Sequence, residues 1–152
     1  MNRGRRIALV IAGTVALVYG MIYVDVVWRA KEAYDQGEKY WRWTDHPEEY
    51  ANFVNLRFQA DKAKLDDKRA QGRLSQDDYD RELQLLQFGR VQALKESTIK
   101  YAYVWYQTAV ELFSPPESKW VQLSREKMPL AKERWKTELR AKKIPFEEYM
   151  ID

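Results

Sequence analysis

The chain has 152 residues, of which 45% are hydrophobic, 32% charged and 14% aromatic: a globular composition with a heavy aromatic load, not a disordered one. It contains no cysteine, which excludes disulfides, thiolate metal sites, iron–sulfur clusters and cysteine nucleophiles. The net charge of +3 belongs to the N-terminal tip, because removing Arg3, Arg5 and Arg6 leaves 23 basic residues against 23 acidic ones.

That balance, with acids interleaved among every basic cluster, speaks against a nucleic-acid partner, which requires a basic surface to displace counterions from phosphates. Residues 1–6 form a basic tip. Ile7 to Val24 is then an 18-residue run without a charge. At 1.5 Å per residue it spans roughly 27 Å, close to the hydrocarbon thickness of a bilayer. Val26, Val27 and Trp28 extend it, giving a predicted transmembrane anchor over residues 7–28. Tyr19, Tyr23 and Trp28 stand where an interfacial aromatic belt would lie.

The leading arginines predict a cytoplasmic N-terminus and an extracytoplasmic helical domain, periplasmic in a bacterium, although Arg29 and Lys31 on the far flank reduce the asymmetry. A cleaved signal peptide is the rival reading. The apolar run is long for that role and no small-residue cleavage box follows it, so a retained anchor is expected.

Ala8, Ala12, Ala16 and Gly20 recur every four residues and make one ridge of small side chains. In lipid, close backbone approach at such a ridge drives helix association, so it predicts packing against other transmembrane subunits. No His, Asp, Glu, Lys or Arg lies within Ile7–Val24, which speaks against a proton path or an ion site on this helix.

Residues 29–143 are predicted to form an extramembrane α-helical domain. The first helix is expected to end near Gly37, followed by an aromatic segment, Tyr40, Trp41 and Trp43, that either plugs the core or lies on the membrane surface. Thr44 to Glu49 reads as a helix start, with capping residues, a first-turn proline and acids suited to the helix dipole. That helix runs to Gln71, with Gly72 as its C-terminal cap. Ser75 caps the next helix and Asp78 holds the capping-box position. The stretch Leu65–Gln87 (LDDKRAQGRLSQDDYDRELQLLQ) resembles the short helical hairpins that tether or oligomerise bacterial membrane proteins.

Tyr79, Leu83, Leu86, Ala93 and Leu94 continue at helical steps, with a bend expected near Gly89 or Ser97-Thr98. Ala102, Tyr106 and Ala109, followed by Pro115, resemble the second helix of a tetratricopeptide repeat. No first helix of such a repeat precedes them and no period of about 34 residues recurs, so the spacing is read as ordinary small-against-large packing. Ser118 caps a helix carrying Trp120, Val121 and Leu123. A kink or short break is expected at Met128-Pro129, because an interior proline costs roughly 3 kcal/mol. A last helix would bury Ala131, Trp135 and Leu139. The tail, residues 144–152, is apolar and acidic and either folds back or docks in a partner. The expected fold is all-α: a single N-terminal transmembrane helix followed by an antiparallel helical domain of four to five helices.

No catalytic motif, cofactor fingerprint or metal set is recognisable, and the lone histidine, His46, reads as a helix-start residue rather than a ligand. The chain is therefore expected to be no enzyme, to carry no cofactor, and to serve as an accessory or assembly subunit of a membrane complex. Its expected partners are membrane lipid and other transmembrane subunits. Trp41, Trp43, Tyr103, Trp105, Phe146 and Tyr149 are the candidate protein interface. A tethered adaptor recruiting a soluble partner, through a tetratricopeptide-like groove or its tail, and a self-associating homo-oligomeric scaffold are the alternatives.

Overall fold

The computed structural model describes residues 3–148 and 151, apart from the side chains of Arg3, Arg5, Arg6 and Ala8. The fold is all-α: α1 (Arg3–Asp45), α2 (Pro47–Ala70), α3 (Gln76–Lys95), α4 (Thr98–Leu112) and α5 (Lys119–Ala141). The chain forms two compact units, one of Met1–Tyr40 with Ile99–Asp152 and one of Trp41–Thr98. Residues 29–143, expected from the sequence to form one helical domain, are thus divided between the two units.

In the first unit, the N-terminal half of α1 is apolar and uncovered, with Leu9, Val10, Ile11, Val15, Leu17 and Met21 all exposed. Nearly two turns past Val24 the helix changes character: Ala30, Ala33 and Gly37 are buried. α4 supplies the facing core through Ile99, Ala102, Tyr103, Tyr106 and Ala109, and α5 through Val121, Ser124 and Ala131. The small residues on α1 and the large ones on α4 fit because cores fill space at near-crystalline density.

The expected stop at Gly37 is corrected by this packing. α1 runs on to Asp45, a helix of 43 residues and about 65 Å. Gly37 works as a notch: a Cβ there would fall 2.6 Å from Tyr106 Cδ1 and 3.0 Å from Cζ, inside the ring's contact radius. No break in the helix occurs at Met128-Pro129 either. Pro129 lies inside an unbroken α5, whose buried residues stand on both sides of it, at Val121 and Ser124 and again at Ala131 and Lys136. Packing along the whole helix outweighs the local cost of one proline. The tail folds back: Ile151 is 2% exposed, Lys136 Nζ lies 2.8 Å from Glu148 Oε2, and the Arg140 guanidinium stands over the Phe146 ring.

The second unit is a helical hairpin of α2 and α3 with the last turn of α1. Its turn follows the sequence signals closely. Gly72 adopts φ +67°, its N–H donates to Arg69 O, and the Arg73 N–H donates to Lys68 O, the paired bonds of a Schellman cap. Ser75 Oγ accepts from the Asp78 N–H at 3.1 Å and donates to the Asp78 carboxylate at 2.7 Å. Val54, Leu65 and Tyr79 are buried between the helices. The Tyr79 hydroxyl donates to Asp66 at 2.6 Å, the Tyr50 hydroxyl to Ala93 O at 3.0 Å, and Arg90 Nε to Asn55 at 2.7 Å. The bend falls at Glu96–Ser97, while Gly89 stays helical.

Two glycines inside helices should respond oppositely to alanine. At Gly89 an added Cβ meets nothing within 4 Å, so Gly89→Ala should stabilise by up to about 1 kcal/mol through helix propensity. At Gly37 the same gain is outweighed by overpacking against Tyr106, and Gly37→Ala should lose about 1–2 kcal/mol net. Thermal melts in detergent micelles should move a few degrees in opposite directions; a rise for both variants would refute the notch.

Candidate membrane anchor and interaction surfaces

α1 is long and apolar enough near its N-terminal end to cross a membrane, with a mean hydropathy of 2.0 over an 18-residue window of which none is buried. Thr14, a polar side chain in the middle of that stretch, donates its hydroxyl to Val10 O at 2.9 Å and so bonds back to its own helix. Along the predicted ridge Ala12, Ala16 and Gly20 are all exposed, and nothing lies within 4 Å of a Cβ built at Gly20. The Ala8 side chain lies outside the described residues. Tyr19, Tyr23 and Trp28 are also exposed, Tyr19 at 73%.

The aromatic residues expected at a protein interface separate into three groups. Trp43 and Tyr103 are 8% and 5% exposed, which removes both from any surface. Trp43 packs its ring 4.8 Å from Phe53 and 5.2 Å from Tyr50, and Tyr103 sits 5.9 Å from Trp135. Both therefore act as core aromatics. Trp41, Trp105 and Phe146 are half-buried. Tyr149 lies outside the described residues.

The second unit exposes other apolar side chains instead. Leu56, Leu85 and Phe88 are 66%, 65% and 63% exposed, and Phe53 is partly open beside them in α2. Phe53 and Leu56, like Leu85 and Phe88, are three residues apart, so each pair occupies one side of its helix. Leu56 is turned about 200° around α2 from the buried Val54 and about 180° from the buried Leu65, so the helical period itself places it outward.

At the centre of the first unit is a polar cluster that sequence alone did not bring together. The Tyr106 hydroxyl donates to Glu38 Oε1 at 2.7 Å, and Lys127 Nζ lies 3.2 Å from the same oxygen. The Tyr34 ring stands 6.1 Å from Tyr106 and 5.6 Å from Trp120. Burial raises the Tyr106 phenol well above its ordinary 10.0, reinforced by the bond to Glu38, and burial raises Tyr34 in the same direction. Both phenols are thereby held as donors. Side chains 38, 106 and 127 come from three helices, and no local motif links them.

Between α1 and α5 a cleft of about 300 Å³ is lined by Tyr23, Val24, Val27, Trp28, Lys31 and Trp120. His46 occupies the N-cap position of α2 without a side-chain capping bond, its Nδ1 3.4 Å from Glu48. Glu49, one residue further on, pairs with Arg42 at 2.6 Å. Among the described residues no group of three or more His, Cys, Asp or Glu side chains is placed to hold a metal.

Comparison of the chain with family models, curated proteins and solved structures gives no match.

The Tyr106 cluster makes a signed prediction. The native state holds a phenolic proton that the unfolded chain releases near pH 10, so this contribution is intact below that pH and declines as pH rises further. Tyr106→Phe should lower stability at neutral pH by about 1 kcal/mol. Above pH 10 it should also flatten the loss of stability, with Tyr34 accounting for part of the remaining slope. Denaturation midpoints measured across that range in micelles check this; identical slopes in both proteins would remove Tyr106 as the source.

Proposed function

We propose that the chain is a non-catalytic accessory or assembly subunit of a multi-subunit membrane complex, energy-transducing or secretory. In this reading α1 crosses the bilayer once and the helical body contacts the partner subunits. The observation that carries the proposal is the uncovered apolar half of α1, which continues without a break into the buried Ala30–Ala33–Gly37 face. Such a helix is costly to leave in water, because its exposed side chains forfeit the transfer energy of burial, and is satisfied in lipid. A helix that is also a core element holds its body close to the bilayer.

Arg3, Arg5 and Arg6 support a reading with the N-terminus in the cytoplasm and the helical body on the opposite side, by the bias of basic residues toward the cytoplasmic flank. The exposed ridge of Ala12, Ala16 and Gly20 supports contact with another transmembrane helix. The partner surface of the body is assigned to Leu56, Leu85 and Phe88, whose exposure supports contact with another apolar surface. The same side chains favour a second reading, a tethered adaptor that recruits a soluble protein. A self-associating scaffold is the third.

The full-length tagged chain, extracted from its native membrane in mild detergent, should co-purify with a discrete set of membrane subunits. Ala12→Leu with Ala16→Leu should release them by blocking close helix approach. Leu85→Glu with Phe88→Glu should detach whatever binds the hairpin and leave the exposed helices folded. Recovery of a lone monomer would overturn the subunit reading. A soluble protein lost only with the hairpin variant would favour the adaptor, and a multiple of the chain's own mass would favour the scaffold.

A further inference from the structure

We propose that the cleft between α1 and α5 binds one anionic phospholipid, with an acyl chain along Val24, Val27 and Trp120 and the phosphate between the ammonium groups of Lys31 and Lys119. This rests on the membrane-spanning reading of α1. The cleft is cut into the last turns of the apolar half of α1, so its apolar walls are continuous with the surface that faces lipid. Tyr23 and Trp28 belong to its lining and fix its depth at the boundary between acyl chains and headgroups, where such side chains are favoured. At about 300 Å³ it lies at the small end of ligand sites, suited to a chain segment rather than a folded partner.

Charge selects the headgroup. Lys31 Nζ lies 5.3 Å and Lys119 Nζ 5.5 Å from the centre of the same Trp120 ring, so both cations border the residue that forms the α5 side of the cleft. Lys31 is ion-paired with Asp35, whereas among the described residues no carboxylate lies within 4 Å of Lys119. Nearby, Asp25 and Arg29 cancel each other at 2.8 Å. The first turn of α5, which carries Trp120, has no acid to offset the positive end of its helix dipole. Lys119 therefore stands as a cation without an ion-pair partner among the described residues, beside an apolar cleft, the arrangement an anionic lipid complements.

The test reconstitutes the full chain in phosphatidylcholine vesicles carrying a trace of phosphatidylglycerol, or of phosphatidylcholine, with a photoactivatable group in the acyl chain. Crosslinks mapped by mass spectrometry should concentrate on Val24, Val27 and Trp120 and favour the phosphatidylglycerol probe. Lys31→Gln with Lys119→Gln should reduce that preference by about five-fold for each lysine. Val24→Trp, which fills the cleft without altering charge, should remove the Trp120 crosslink. Crosslinks spread evenly along residues 7–28, or equal for both probes, would overturn the site while leaving the anchor intact. A chain that stays in the aqueous fraction and crosslinks nowhere would overturn the anchor and the site together.

Discussion

Everything in the first unit depends on how closely α1 can approach α4, and that is set where Gly37 meets the ring of Tyr106. The ring is fully buried and its hydroxyl is bound to Glu38, one residue along the same helix. Steric fit and hydrogen bond thus act at one place: the missing side chain admits the ring, and the neighbouring carboxylate receives its polar end. Lys127 brings α5 to the same carboxylate. Three helices are registered by one notch, one phenol and one charge pair. The surrounding alanines, Ala30, Ala33, Ala102 and Ala109, keep the backbones close enough for the contact to form.

The second unit is assembled from local signals. Its turn needs a left-handed residue and has Gly72; its next helix needs an N-terminal acceptor and has Ser75. The charged pairs along it, such as Lys62 with Asp66, are exposed and contribute little to stability individually. Cohesion comes from Val54, Leu65 and Tyr79 between the helices and from Trp43 stacked on Tyr50 and Phe53.

This contrast explains what the sequence could reveal. Gly72 was legible because its role is decided by neighbours within a few residues. Gly37 was misread as a terminator because its role is decided by Tyr106, remote in the chain and invisible to any local pattern. Pro129 was misread for a related reason: its local cost is fixed, while the packing that offsets it is spread along α5. The aromatic residues show the same limit, since Trp41 and Trp43 are near neighbours in one helix, yet only Trp43 is buried. The apolar segment of α1 was fully legible, as an unbroken run of uncharged residues leaves few alternatives. The cleft above it was not, because Trp120 reaches it from the far end of the chain.

The unbroken path of α1 has a consequence for orientation. With 3.6 residues per turn, each position is rotated about 100° from the one before it. The stripe of Ala12, Ala16 and Gly20 and the buried face of Ala30, Ala33 and Gly37 are therefore locked in angular phase. Any neighbour that seated the stripe would also dictate the compass bearing of α4 and α5. A single residue added between Val24 and Ala30 would preserve both surfaces and swing one through more than a quarter of a circle about the axis they share.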